Sequence, residues 1–221
     1  MTLLRAATGV VLAAGLLTAP SAAAAPAPGT CSYTAAGTAS KKVDLPTADV
    51  RGLKPYTATL NLNSGAVSFD ALIRDAPCTA NAFQSLAAQH YFDGTQCHRL
   101  TTGGIFVLQC GDPSGTGTGG PGYQYADENL SDVTVAGGTY PAGTVAMANA
   151  GPGTNGSQFF LVYKDSPLPP NYTPFGRITS GLNVLDKIAQ AGVAGGRQDG
   201  KPRNEVVLRT VRISPGGRAQ N

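Results

Sequence analysis

Few side chains in this sequence could carry out covalent chemistry. The two histidines, His90 and His98, do not lie beside a serine or cysteine in a nucleophile motif. His98 stands next to Arg99 in a predicted strand, where we expect a packed histidine with satisfied hydrogen bonds rather than a general base. Asp127 and Glu128 are adjacent carboxylates, but neighbouring side chains in a strand or loop diverge, so we expect a solvated face.

The remaining combination is one strand arginine, several amides and several apolar or aromatic side chains. Such a set can bind an extended peptide and polarise an amide. The glycine-rich loop from Cys110 to Tyr125 resembles a phosphate cradle, but it lacks the terminal Gly-Lys-Ser/Thr and opens no helix, which argues against nucleotide binding. The sequence contains no metal-ligand or cofactor motif, so we expect neither a metal nor a cofactor.

The stretch best suited to position these groups runs from Gly143 to Phe160. The residues from Thr144 to Ala148 alternate between small and apolar types and predict one strand, and those from Ser157 to Val162 predict another. A short loop rich in Gly, Pro and Asn separates the two strands and favours a tight connection. The side chains that this unit would present are Asn149, Gln158 and Phe160.

Composition indicates one turn-rich β domain. The 221 residues are 42% hydrophobic and 13% charged, with 29 glycines and 16 prolines distributed between short strand-like runs. The net charge of +3, without a dense run of Lys and Arg, argues against nucleic-acid binding.

The N-terminus has the features of an export signal. Arg5 is followed by an apolar run and then by small residues suited to cleavage, and the run is shorter than a typical membrane-spanning helix. We therefore predict a secreted or cell-envelope-exterior monomer without stable membrane insertion once the leader is removed; retention of the leader as an anchor is the alternative. The predicted segments are a signal peptide (1–24), a flexible N-terminal arm (25–55), the main domain (56–213) and a disordered tail (214–221).

The four cysteines predict disulfide bonds, since an exported protein meets an oxidising environment and the count is even. Buried free thiols are the alternative, and all three full pairings remain open. If Arg99 and Gln109 share a sheet face, a direct Cys97–Cys110 bridge requires a bulge. The candidate residues are Cys31, Cys78, Cys97 and Cys110.

Periodicity predicts about eight short strands and two helices. The predicted helices are Pro77–Tyr91 and Leu182–Ala191. Besides the two strands described above, the predicted strands are Thr57–Leu62, Ala66–Leu72, Gln96–Thr101, Phe106–Gly111, Thr173–Ile178 and Glu205–Ile213.

Two long motifs resemble the signature of the cyclophilins, a family of peptidyl-prolyl cis-trans isomerases. The first is Met-Ala-Asn-Ala-Gly-Pro-Gly-Thr-Asn-Gly-Ser-Gln-Phe-Phe at 147–160. The second joins Cys-His-Arg-Leu at 97–100 to Ile-Phe-Val-Leu-Gln-Cys-Gly-Asp at 105–112, and the resemblance covers about residues 56–213. It implies a closed eight-stranded antiparallel β-barrel capped by two α-helices.

The resemblance also implies the roles of individual residues. Arg99 matches the family's main catalytic residue, which would accelerate rotation about X-Pro bonds by non-covalent stabilisation of the transition state. Such an enzyme would assist the folding of exported proteins, with proline-containing polypeptides as substrates. The implied proline pocket is Phe106, Val107, Phe160 and Leu168; the implied backbone groove is Gln109, Ala148, Asn149 and Gln158.

The sequence departs from the family pattern at two positions near the site. Many members have a tryptophan near the position of Pro167, and many have a histidine where Tyr172 stands. Tyr172 would supply an aromatic wall to the substrate site, whereas the missing tryptophan places cyclosporin binding in doubt.

Two other function classes use the same features. A proline-peptide-binding module or holdase chaperone would keep the groove but show little turnover. An extracellular structural or surface-interaction protein would use the arm at residues 26–55.

Overall fold

The computed structural model describes residues 29–132 and 137–216, so the predicted signal peptide lies outside the described residues. Two α-helices, α1 (Pro77–Ala88) and α2 (Leu182–Ala191), and a short 3₁₀ turn (Ala194–Gly196) occur in these ranges. The strands are β1 (Thr34–Ala35), β2 (Tyr56–Leu62), β3 (Gly65–Ala71), β4 (Thr95–Gln96), β5 (Arg99–Thr101), β6 (Val107–Cys110), β7 (Tyr123–Gln124), β8 (Thr139–Tyr140), β9 (Thr144–Met147), β10 (Phe159–Val162), β11 (Ser166–Pro167), β12 (Pro174–Ser180), β13 (Asp199–Gly200) and β14 (Val207–Pro215).

Ten strands form one curled antiparallel sheet, in the order β13-β5-β6-β10-β9-β12-β3-β2-β14-β4. The predicted closed eight-stranded barrel is therefore wrong, because the hydrogen-bonded order has two edges, at β13 and β4. Cys97 and His98 interrupt the expected strand, so that β4 pairs with β14 while β5 pairs with β6. Since only these two residues connect strands near opposite edges, the sheet must curl into a half-barrel.

The first hairpin, β2 with β3, follows directly from sequence alternation. The buried residues of β2 are Tyr56, Ala58, Leu60 and Leu62, at every second position. This period of two places one face of the strand in the core, as predicted.

Helix α1 contributes the centre of the core. The ring of Phe83 packs against four other phenylalanines, with centroid distances between 5.1 and 5.4 Å. Because truncating such a side chain leaves a cavity, Phe83→Ala would cost about 3–5 kcal/mol of stability. The helix ends at Ala88, three residues before the predicted end, although Tyr91 is fully buried in the following turn.

Glu128 closes the N-terminus of α1 from a distant part of the chain. The residue before the helix, Ala76, supplies no side-chain cap. Instead the Glu128 carboxylate accepts hydrogen bonds from the backbone N–H groups of Cys78 and Thr79 and from the Thr79 hydroxyl, at 2.7–3.0 Å. Burial raises the pKa of Glu128, and these donors oppose that shift. The expected solvated face is thus wrong for this residue.

Helix α2 has the predicted bounds, and Leu185 and Ile188 are its buried residues. Neither helix in the described residues is long and apolar enough to cross a membrane.

Strand β14 continues to Pro215 and pairs with β2 along its length, so the first two residues of the predicted disordered tail belong to the sheet. Residues 217–221 lie outside the described ranges.

All four cysteines form disulfides, as predicted: Cys31–Cys78 and Cys97–Cys110. The second bridge is the one that required an irregular strand. Its Cα atoms are 4.0 Å apart, and Cys97 lies in the interruption between β4 and β5, which removes the constraint of regular alternation.

The segment 29–55 does not match the prediction of a flexible arm. Cys31 and Val50 are buried, and the disulfide attaches the segment to α1. The ring of Tyr33 packs edge-on against Tyr123 and Tyr125. The composition, rich in Ala, Thr and Pro, carries no periodicity, so these long-range contacts left no local pattern in the sequence.

Candidate active site

Strand β5 places Arg99 opposite Gln109 on the neighbouring strand β6. The guanidinium is half-buried and forms a bidentate ion pair with Asp199, with Nε–Oδ1 at 2.8 Å and Nη2–Oδ2 at 2.7 Å. Asp199 reaches this position because β13 pairs with β5. The pair fixes the plane of the guanidinium, since both parallel hydrogen bonds depend on it.

A chain of amides continues from Arg99. Its Nη1 donates to Oε1 of Gln109 at 3.3 Å, and Nε2 of Gln109 donates to Oε1 of Gln158 at 2.9 Å. Nε2 of Gln158 in turn donates to the carbonyl oxygens of Gly117 and Gly119. Each amide is therefore oriented by its neighbours, and the arginine is held by partners on two sides.

The Gly-rich loop that receives this chain is itself held by Asp112. This fully buried carboxylate accepts hydrogen bonds from the N–H groups of Ser114, Gly117 and Gly119, at 2.7–3.1 Å. Burial opposes its ionisation, but the donors outweigh burial and lower the pKa of Asp112. The loop's N–H groups thus serve an internal anion, which agrees with the sequence argument against a phosphate cradle.

Arg99 borders a cavity of about 150 Å³ that polar and apolar side chains line together. The cavity brings together eight of the predicted site residues: Arg99, Val107, Gln109, Ala148, Asn149, Phe160, Leu168 and Tyr172. Its apolar lining belongs to a small cluster of its own, separate from the main core. The cavity can hold a small apolar ring beside a fixed positive charge.

Phe106 does not line this cavity, and its place in the proline pocket stays a prediction. Ile105 lines the cavity instead, together with Val107 and Gln109. Positions 105, 107 and 109 share one side of an extended chain, whereas position 106 faces the other. The Phe106 ring packs against Tyr163, at a centroid distance of 6.0 Å, with the Lys164 ammonium 4.5 Å from its centroid.

Tyr172 and Asn149 build the far wall. The Tyr172 ring lies edge-on to Phe160 at 5.6 Å, and its backbone exchanges two hydrogen bonds with the Tyr140 hydroxyl. The Asn149 side chain donates to the carbonyl oxygen of Asn171 at 2.8 Å. Asn149 therefore holds the segment that carries Tyr172 in addition to lining the cavity.

Gln158 lies outside the small cavity and lines a second one, of about 540 Å³. Gln109, Ala148 and Asn149 line both, so the two cavities adjoin. Three of the four predicted groove residues thus lie between the two adjoining cavities, and Gln158 lies in the larger one.

The charges of the site are set by the ion pair and by burial. The bond to Asp199 raises the pKa of Arg99, and the same bond lowers the pKa of Asp199. Burial lowers the pKa of His98, which is 9% exposed, so its imidazole remains neutral near neutral pH. His98 is packed as expected, but among the described residues neither of its ring nitrogens has a hydrogen-bond partner. Residues 29–132 and 137–216 contain no cluster of three or more His, Cys, Asp or Glu suited to a metal ion.

The family model for cyclophilin type peptidyl-prolyl cis-trans isomerases matches residues 57–213. The chain belongs to the cyclophilin family. The crystal structure of a Cryptosporidium parvum cyclophilin type peptidyl-prolyl cis-trans isomerase has a similar fold, with a TM-score of 0.61 and 27% sequence identity. The match covers 74% of this chain and 99% of that one.

Two bacterial proteins are similar to this chain in sequence. "Probable peptidyl-prolyl cis-trans isomerase B" of Mycobacterium tuberculosis is 52% identical over 77% of this chain and 59% of its own length. The present cyclophilin chain therefore spans about three fifths of that relative. "Peptidyl-prolyl cis-trans isomerase B" of Streptomyces anulatus is 40% identical over 70% of this chain and 94% of its own.

Two residues of this cyclophilin site, Ile105 and Asp199, were not among those predicted from the sequence. Ile105 could have been found by extending the period of two back from Gln109 and Val107. Asp199 has no comparable signal, because it lies 100 residues from Arg99 and in a strand of two residues.

Proposed function

We propose that the protein is a peptidyl-prolyl cis-trans isomerase that acts on X-Pro bonds, with Arg99 as its catalytic residue. The observation that carries this proposal is the position of the Arg99 guanidinium, fixed by Asp199 and Gln109 at the wall of a small cavity. The cavity suits a proline ring in size, and Val107, Phe160 and Leu168 offer the ring apolar contacts. Membership of the cyclophilin family supports the same reaction.

The chemistry requires only differential hydrogen bonding. Rotation about a peptide bond has a barrier of about 18–20 kcal/mol, because the nitrogen shares its lone pair with the carbonyl. As the bond twists, the prolyl nitrogen becomes pyramidal and its lone pair becomes available. A guanidinium N–H then binds the twisted amide more strongly than either planar isomer, which lowers the barrier.

Arg99 has donors to spare for this purpose. A guanidinium carries five N–H donors, and the described partners Asp199 and Gln109 engage three of those of Arg99. The remaining two N–H donors of Arg99 can therefore bind the substrate. Apolar walls exclude water and strengthen the contact, and lowering the barrier by about 7 kcal/mol would accelerate exchange roughly 10⁵-fold.

The substrates are proline-containing polypeptides. X-Pro bonds are suited to this site because their cis form lies only about 0.5–1 kcal/mol above trans. A second crystal structure of the Cryptosporidium parvum relative was obtained in the presence of the dipeptide Ala-Pro, which makes Ala-Pro sequences a natural first substrate.

We further propose that the protein acts outside the cytoplasm, as a monomer, on exported polypeptides. Support comes from the two disulfides, which form and persist in oxidising compartments. The leader-like sequence at residues 1–24 supports the same location.

The test is cis-trans exchange of an Ala-Pro peptide, measured by NMR with the protein at a small fraction of the peptide concentration. We expect line broadening or exchange cross-peaks that the peptide alone does not show. Binding of the peptide without faster exchange would contradict the proposal and identify a proline-peptide-binding module instead.

A further inference from the structure

We propose that residues 36–38 form a wall of the substrate groove and help to select the residues that flank the proline. This inference rests on the proposed function. The three residues precede the segment matched by the family model, which begins at residue 57, yet they line the larger cavity beside Gln109 and Gln158. The segment thus adds a surface to the groove that the family domain does not supply.

The segment is held against the groove by regular backbone pairing. Strand β1 pairs with β7, so that Thr34 lies opposite Gln124 and Ala35 opposite Tyr123. Beyond the strand, the Ala36 N–H donates to the carbonyl of Gly122 at 2.9 Å. The same pattern continues to Ser40, whose N–H donates to the carbonyl of Gly120 at 2.9 Å.

Side chains and a covalent bond hold the base of the segment. Cys31 is bonded to Cys78 at the start of α1. The Tyr33 hydroxyl donates to the Cys78 carbonyl at 2.8 Å and accepts from the Asn81 side chain at 3.0 Å. The wall is therefore attached on both sides of residues 36–38.

The fit between the segment and the loop beneath it is close. Gly122 has φ +82°, and a Cβ atom at this position would lie 3.1 Å from the Cβ of Ala39. A side chain there would both strain the backbone and push the segment away. Glycine at this position is what permits the contact.

The chemistry of the cavity specifies the kind of group it takes. Every residue that lines the larger cavity is uncharged, with amides, hydroxyls, glycine backbone and alanine methyl groups among them. Because the two cavities share Gln109, Ala148 and Asn149, a polypeptide with its proline in the smaller one reaches the larger one within about two residues. The ligand of this wall is a neutral side chain near the proline of the same polypeptide.

A charge placed on the wall should therefore change sequence preference. Thr38 is exposed and lines the cavity, so Thr38→Glu puts a negative charge beside the flanking residue and Thr38→Lys a positive one. The measurement is kcat/KM for matched peptides that carry Lys or Glu two positions before or after the proline, at low ionic strength. Ser32→Glu is the control, since Ser32 is exposed in the same segment but outside the cavity lining.

The charged residue can lie before or after the proline, and only one of these positions should occupy the larger cavity. For peptides charged at that position, we expect Thr38→Glu to raise the ratio of kcat/KM for the Lys peptide to that for the Glu peptide about threefold or more. Thr38→Lys should lower it by a similar factor, as expected for unit charges several ångströms apart near a protein surface. Both shifts should shrink at high salt, and Ser32→Glu should keep the wild-type preference.

If all four proteins turn over every peptide with the same ratio of kcat/KM for Lys and Glu peptides, residues 36–38 do not select the flanking residue. The proposed function would remain intact. If the wild-type protein accelerates none of the peptides, the proposed function fails. In that case, the affinities of the same variants for the Lys and Glu peptides, measured by fluorescence anisotropy, test separately whether residues 36–38 contact the flanking residue.

Discussion

Arg99 is held in place before any substrate arrives. Asp199 engages Nε and Nη2, and Gln109 accepts from Nη1, so the guanidinium plane is defined by three hydrogen bonds. A long side chain that is already ordered loses little further freedom when it meets the transition state. The partners of Arg99 should therefore affect the rate even though they do not touch the twisting bond.

The first prediction concerns Asp199, which we regard as a positioning residue. Asp199→Asn keeps the shape of the side chain but removes the charge-assisted bonds to Arg99. We expect kcat/KM for an Ala-Pro peptide to fall about threefold or more, with most of the loss in kcat.

The matched control is Asp186→Asn, which removes one exposed negative charge from α2. It should leave kcat/KM near the wild-type value. An increase in the rate of Asp199→Asn would contradict this role, because it would mean that the ion pair restrains Arg99 from reaching substrate.

The second prediction is a rate that does not depend on pH between 6.5 and 9. The bond to Asp199 raises the pKa of Arg99, and burial lowers the pKa of His98, so neither group changes charge in this range. The ion pair to Asp199, whose pKa is lowered by Arg99, is present above the ordinary value of about 3.9 and is lost only as the pH falls through the lowered one. A sigmoidal change in kcat/KM centred between pH 6.5 and 9, at constant ionic strength, would refute it.

At the residue scale, the motifs singled out most of the side chains that line the cavity beside Arg99. Arg99, Gln109 and Gln158 could be singled out because each lies within a long continuous signature. The signature also contains Phe106, which does not line the cavity, because a motif gives order along the chain but not the face of the strand. Asp199 could not be predicted, since its contact with Arg99 depends on the pairing of β13 with β5.

Among the elements, α1 depends on a cap that it does not carry itself. The third prediction is that Glu128→Ala lowers the free energy of unfolding by about 1–2 kcal/mol, because it leaves the N–H groups of Cys78 and Thr79 without their partner. Chemical denaturation measures the change, and Glu128→Gln should lose less.

The control for this change is Glu205→Ala, at the other glutamate of the chain. Glu205 is exposed and accepts a surface hydrogen bond from Gln96. We expect a change within about 0.5 kcal/mol there. If Glu205→Ala is as destabilising as Glu128→Ala, the capping role is wrong.

Elements with a strong period were predicted well. The seven-residue strands β2 and β3 and the helix α2 show clear periods of 2 and 3.6, and their bounds agree with the prediction within about a turn. The two-residue strands β1, β7 and β13 are too short to show any period. They form because a neighbouring strand edge is available, which is a property of the assembled sheet.

At the scale of the whole molecule, the disulfide Cys31–Cys78 joins the N-terminal segment to the main domain. It closes a loop with a sequence separation of 47 residues. The fourth prediction is that the paired change Cys31→Ser with Cys78→Ser lowers the free energy of unfolding by about 2–4 kcal/mol. Limited proteolysis should also cut faster within residues 29–55.

The paired variant is compared with the wild type under non-reducing conditions. Unchanged stability together with unchanged cleavage would show that the noncovalent contacts of Tyr33 and β1 are sufficient to hold the segment. The disulfide would then not be needed to hold residues 36–38 against the groove.

The overall arrangement of the molecule was predicted only in part. Alternation and turn chemistry predicted a mostly β domain with two helices, and this is confirmed. The closed barrel was not confirmed, because Cys97 and His98 divide one expected strand into β4 and β5. Strand β4 pairs with β14, whereas β5 pairs with β6. The packing of residues 29–55 depends largely on contacts with residues distant in sequence, such as the bonds of Tyr33 and Cys31 to Cys78, which no local pattern records.

The most direct test of the central claim is the exchange rate of an Ala-Pro peptide with Arg99→Ala, beside Arg209→Ala as a control. Arg209 is an exposed arginine on β14. We expect Arg99→Ala to lose about tenfold or more of the acceleration, with its fold intact by circular dichroism, while Arg209→Ala keeps the wild-type acceleration. Acceleration that survives Arg99→Ala unchanged would contradict the catalytic role of Arg99.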